Sequence, residues 1–216
     1  MIDIIDARKD DLAKHIDYLW PSFLDSFPPQ SRRTKEEMYH RLIPGKTSEM
    51  DRILFYATEK NENSDSHISL PVALGVYHID REVPFCYGEY VWTVPETRKR
   101  KVGTLLHAHV IKYLRQKGIN DFICEGHEDN PWHHKIGLGK LPINYLQPAI
   151  SEEQNESYMI FLVDVNLGGK ILPVNKLVKI VSILFRDIYN TKFVGSKSEA
   201  ILIESIGDKE MLEATL

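Results

Sequence analysis

The chain has 216 residues, enough for one domain with a short extension and ample to bury a core. With 27 basic and 31 acidic side chains its formal charge is −4, which argues against a general nucleic-acid binder, and no segment approaches the roughly 20 apolar residues needed to cross a membrane. The two cysteines, Cys86 and Cys124, suggest no disulfide framework, and the N-terminal MIDIIDARKDD lacks the apolar run of a signal peptide, so a reducing cytoplasm is the expected compartment.

Met1 to Asp6 reads as a short β-like run. Asp10 or Asp11 can cap a helix whose apolar positions are Leu12, Ile16, Leu19, Trp20 and Phe23, with Pro21 expected to kink or end it. SFLDSFPPQSRR follows as a loop. Thr34 then opens a second helix with Glu37 three residues on, the spacing of a capping box, and Pro44-Gly45 stops it. Arg52 to Glu59, Leu70 to Ile79 (Gly75 marking a bulge) and Phe85 to Val94 read as three strands. A basic turn, Pro95 to Lys101, leads into an amphipathic helix from Val102. Its apolar stripe is Val102, Leu105, Leu106, His109, Val110, Tyr113 and Leu114, and Gly118 serves as its stop. Asp121 to Gly126 is a strand, Asn130 to Gly137 holds at most two helical turns, and Leu141 to Gln147 and Tyr158 to Val165 read as strands around the acidic loop PAISEEQNES. Past the hinge GGK, Pro173 to Tyr189 is amphipathic with Leu177, Ile180, Val181, Leu184 and Ile188 on one face, and EAILIESI is β-like. This C-terminal part is read as closing one edge of the sheet, the sharper alternative being a dimerisation arm that would make a homodimer.

The informative stretch is the strand, basic turn and helix over 85–116. Arg98, Lys99, Arg100 and Lys101 are delivered to a helix N-terminus, where free backbone N–H groups and the positive dipole end favour an anion such as a phosphate. No Gly-Lys-Ser/Thr follows, which excludes a nucleotide P-loop. VPETRKRKVGTLL resembles the acyl-CoA pyrophosphate loop of the GCN5-related N-acetyltransferase (GNAT) superfamily: Arg or Gln, two residues, Gly, any residue, then Gly or Ala. Arg98 fills the first position and Gly103 the last, while Lys101 stands where the first glycine is usual. The order of elements over residues 1–166 is that of the same superfamily. The resemblance implies an α/β (α+β) fold: a mixed, mostly antiparallel sheet flanked by helices. Residues 1–166 would form the acyltransferase domain, and 167–216 a helix-plus-strand extension packed on it.

The resemblance further implies that the strand carrying the loop splays from its neighbour to hold pantetheine. The main chain of Trp92, Thr93 and Val94 would pair with it, the N–H near Val94 polarising the thioester carbonyl. The N–H groups of the turn, from Lys99 through Lys101, Val102 and Gly103 to Thr104, would hold the pyrophosphate, helped by Arg98 and Arg100. The family's tyrosine acid falls on His133, or on His134 if the alignment slips by one. Glu89 is the first candidate for the base, desolvated among Tyr87, Tyr90 and Trp92, with Glu125 and His127 as alternatives. Arg32 and Arg33 could bind an anionic group on the acceptor, with Trp20, Phe23, Tyr39 and Trp92 as apolar wall. The histidines show no His-x-x-x-His spacing, so no metal is expected. The implied activity is transfer of an acetyl group from acetyl-CoA directly to an amine of a small-molecule acceptor, a protein acceptor being less favoured. The alternative is a non-catalytic acyl-CoA sensor.

Overall fold

Hydrophobic patterning and local caps account for most of the elements. A computed structural model describes residues 2–7, 11–47, 49–59, 70–126, 131–148, 156–164 and 171–215. In order these form β1 (Ile2–Asp6), α1 (Ile16–Ser26), α2 (Lys35–Arg41), β2 (Gly45–Thr47), β3 (Met50–Glu59), β4 (Pro71–Asp80), β5 (Phe85–Thr93), α3 (Val102–Gln116), β6 (Asp121–Gly126), α4 (Pro131–Lys135), β7 (Gly139–Lys140), β8 (Tyr145–Gln147), β9 (Glu156–Asp164), β10 (Ile171–Pro173), α5 (Val174–Asp187), α6 (Lys197–Ile206) and β11 (Met211–Glu213). The capping box forms as read: Thr34 Oγ1 accepts from Glu37 N–H at 3.2 Å, and Glu37 Oε2 accepts from Thr34 N–H at 2.8 Å. His127, Asp10 and the GGK hinge lie outside the described residues.

The main sheet runs β1-β3-β4-β5-β6-β9-β7, with β2 added to β3 and β8 to β9; β10 and β11 pair separately. Among the described strands, β5 and β6 are the one parallel pair. Strand β4 is buried along its whole length, being covered on both faces. Leu74, Val76, Tyr90 and Trp92 share the face that meets α1 and α2, while Phe55, Tyr77 and Phe122 share the other with α3. Helices α5 and α6 build a second core cluster with Phe85, Tyr87 and Ile123, which lie on the α1–α2 face nearer the β6 end.

Four expectations need correction. Pro21 does not end α1, which runs through it to Ser26, because Leu19 and Phe23 are anchored in the core on either side. Leu105 is 49% exposed, leaving Val102, Leu106, Val110 and Leu114 as the buried stripe with His107 in place of His109. Only Tyr145–Gln147 of the expected 141–147 strand is extended in the ladder. EAILIESI is helical, not β: Ser196 Oγ accepts from Glu199 N–H at 3.0 Å, and Leu202 and Ile206, one turn apart, face the core.

Candidate active site

The site begins with a bulge. Val76 faces Tyr90 and Tyr77 faces Gly88, so Glu89 is the extra residue on β5. The parallel register with β6 stops at that point, at Gly88 opposite Cys124, and the strands part. Val94 N–H donates to Val72 O at 2.9 Å, which phases the β4–β5 ladder: Tyr90 and Trp92 turn their main chain to β4, and Val91 and Thr93 turn theirs into the gap. Of the three residues expected to offer main chain, only Thr93 turns it to the gap, with its N–H open and its carbonyl already accepting from Arg98 Nε. Val94 N–H is already used, and the Trp92 indole lies in the core, donating to Ser22 Oγ at 3.1 Å. Val91, unremarked in the sequence, takes the central place.

The gap widens into a cleft of about 210 Å³. One end is bounded by Trp132 and His133 of α4, the middle by Gly88–Val91 and Cys124–Gly126, and the other end by Arg33, Gln147, Ile188 and Tyr189. Gly126 is required here: a Cβ on it would collide with the His133 ring.

At the turn, Lys99 and Lys101 adopt φ of 65° and 63°. Lys101 thus holds the left-handed conformation that explains why glycine is usual there, at a cost of about 1–2 kcal/mol. It is the N-cap of α3 and its side chain makes no cap, so among the described residues the N–H groups of Val102, Gly103 and Thr104 have no side-chain acceptor. Gly103 lies close to Thr93 and Trp132, which joins this turn to the cleft. The four cations divide. Arg98 is bound to Asp25 Oδ2 at 2.5 Å, Ser26 Oγ at 3.0 Å and Thr93 O at 3.2 Å, and Arg100 makes a two-point pair with Glu59. Lys99 and Lys101 make no such pair among the described residues.

Glu89 is more deeply buried and more fully paired than expected. Its side chain is 3% exposed; Oε1 accepts from Arg33 Nε at 3.1 Å, and Oε2 lies 2.7 Å from His78 Nε2 and 3.4 Å from Arg41 Nη1. Burial alone would raise its pKa, but Arg41, His78 and Arg33 together outweigh that and hold the carboxyl well below the usual range. Burial keeps His78 neutral against the pull of Glu89, so its Nε2–H donates. Arg32 caps the end of α1 through Phe27 O and Leu24 O, and Arg33 also donates to Ile188 O at 2.9 Å, so neither is free for an anionic acceptor.

His133 and His134 separate cleanly. His133 is buried on the cleft wall, and His134 is exposed on the outer side of α4. Burial, aided by His134, lowers His133 to about 4, so it is neutral at pH 7. A neutral ring can donate a hydrogen bond but does not supply a proton as a strong acid would.

The least anticipated group surrounds Glu125. Oε2 accepts from Tyr87 Oη and Gln147 Nε2, both at 2.7 Å, and from Tyr189 Oη, while among the described residues Oε1 accepts from Tyr145 Oη alone. Burial and then the Glu125 charge push all three tyrosines well above their ordinary pKa. Residues 64 apart in sequence meet here, and no local pattern announces it.

A family model described as Acetyltransferase (GNAT) family matches residues 14–138, more than half of the chain. Among solved structures, a candidate GNAT acetyltransferase from Bacteroides thetaiotaomicron superposes with a TM-score of 0.61 at 16% identity, covering 88% of this chain and 99% of its own. A candidate acetyltransferase from Salmonella typhimurium, solved with its cofactor acetyl-CoA, gives 0.54 at 12% identity over 76% and 94%. The ribosomal-protein-S18-alanine N-acetyltransferase of Escherichia coli gives 0.53 at 13% identity over 76% and 94%. A search of curated proteins finds no match. The splayed β5–β6 pair, the uncapped helix behind it and the matched segment that spans both lead to one conclusion: the chain belongs to the GNAT acetyltransferase family.

Proposed function

We propose that the protein transfers the acetyl group of acetyl-CoA directly to an amine of a small-molecule acceptor. The observation that carries this reading is the bulge at Glu89, which ends strand pairing at Gly88 and opens a cleft continuous with the uncapped turn at Lys101. Lys99, Lys101 and the N–H groups of Val102 to Thr104 hold the pyrophosphate. The main chain of Val91 and Thr93 pairs with pantetheine as an added strand would. Glu125, whose Oε1 carries one donor among the described residues, takes the proton that frees the lone pair of the acceptor nitrogen, and the second proton, shed as the C–N bond forms, passes to solvent. Neutral His133 donates a hydrogen bond to the charge that develops on oxygen and sulfur. The C–S bond then breaks, and the CoA thiolate leaves and is protonated from solvent. Glu89 acts through its arginines as a positioning residue, not as the base.

The test is a titration with acetyl-CoA followed by a panel of amines scored for free-thiol release. We expect saturable binding and amine-dependent release. Binding without release on any amine would instead support an acyl-CoA sensor.

A further inference from the structure

Three features of the acceptor end select a chemical class. Glu125 is half-buried on the cleft wall, and among the described residues it has no cationic partner: its four donors, Tyr87, Tyr145, Gln147 and Tyr189, are all neutral. The arginine that shares the cleft, Arg33, is committed to Glu89 and to Ile188 O. Tyr189 is delivered from the C-terminal extension, just past the end of α5, and both Arg33 and Arg41 donate to the carbonyl that precedes it, at 2.9 and 3.4 Å. The wall therefore presents a carboxylate with a spare lone-pair site on Oε1, hydrogen-bonded phenols and apolar Ile188 and Phe27, with its arginine already paired to Glu89.

We propose that Glu125, completed by Tyr189 of the C-terminal extension, is a cation-recognition site, and that the acceptor is a small alkylamine bound as its ammonium ion. The ammonium donates to Glu125 Oε1, and the short alkyl chain lies against Ile188 and Phe27. Anionic acceptors such as amino-acid carboxylates find no uncommitted cation among the described residues of the wall. The identity of the ligand as acceptor rests on the transferase reading above; the preference for a cation does not.

The experiment uses the full chain saturated with CoA, a dead-end state, and measures binding of butylammonium and of its neutral isostere 1-butanol by NMR titration. A charge-assisted hydrogen bond in a half-buried site corresponds to roughly a ten- to hundredfold preference for butylammonium. We expect Glu125→Gln to abolish that preference. Tyr189→Phe should reduce it several-fold while acetyl-CoA affinity stays within about threefold, a split that general unfolding would not give. Equal binding of the two probes, or a preference that survives Glu125→Gln, overturns the proposal. A surviving cation preference in wild type with no thiol release from butylamine and acetyl-CoA overturns the acceptor role of this site, while the transferase reading falls only if every amine of the panel above fails to release thiol.

Discussion

At the scale of single residues, Glu89 decides how the chemistry is apportioned. A strand carboxylate next to three aromatic residues suggests a base, but its partners Arg33, Arg41 and His78 make it the centre of a buried ionic cluster. Such a cluster contributes little net stability when intact and costs a great deal when broken, because the surviving charges are left buried and unpaired. Glu89→Gln is accordingly expected to cost roughly 3 kcal/mol, lowering Tm by about 6–12 °C for a chain of this length. Acetyl-CoA affinity at a permissive temperature should stay within about threefold. Thermal denaturation beside an acetyl-CoA titration checks this. A variant that loses turnover at unchanged Tm would return the base to Glu89.

At the scale of elements, the strand–turn–helix of β5, the basic turn and α3 was open to reading because everything it needs is local. The three-and-four apolar period, the strand end and the stop at Gly118 all lie within one short stretch. The capping box of α2 was legible for the same reason. Helix α6 was not, since the β-branched residues in EAILIESI imitate a strand and only packing of Leu202 and Ile206 decides the period. Nor was the acceptor wall: Tyr87, Glu125 and Gln147 come from three strands and Tyr189 from the turn after α5, and no spacing rule brings them together. The turn itself yields a prediction. Lys101 occupies a left-handed conformation that glycine adopts without steric cost. Lys101→Gly is expected to raise stability by about 1 kcal/mol and keep acetyl-CoA affinity within a few-fold, whereas Lys101→Val, β-branched at positive φ, should lower both. Tm and acetyl-CoA Kd for the two variants suffice, and a Lys101→Gly protein that unfolds earlier than wild type would show that the ammonium, not the backbone, governs the turn.

For the molecule as a whole, the way α4 closes on α3 writes a pH dependence into stability. His107, edge-on to Phe122 at 5.2 Å and to Trp132 at 6.0 Å, and His133, seated over Gly126, are both packed where an imidazolium is poorly solvated. Burial first, and then a neighbouring histidine, lowers each to about 4, against about 6.5 in the unfolded chain. As pH falls from 6.5 towards 4 the unfolded chain therefore takes up two protons that the folded one refuses. The stability these groups contribute is whole above 6.5 and is lost on the way down, roughly 3 kcal/mol for each histidine by pH 4. Glu89 acts in a separate window: its folded pKa is depressed, so its contribution persists down to about pH 4 and fails only below that. Replacing His107 by Phe fills the same aromatic niche without a titrating group. In urea unfolding measured every half unit from pH 7.5 to 4.5, we expect the slope of stability against pH in His107→Phe to be shallower than that of wild type by the share of one proton, the buried His78 and His133 keeping theirs. Parallel curves for the two proteins would mean that His107 is already solvated when α4 is in place, and that the packing of α4 against α3 is looser than these ring contacts require.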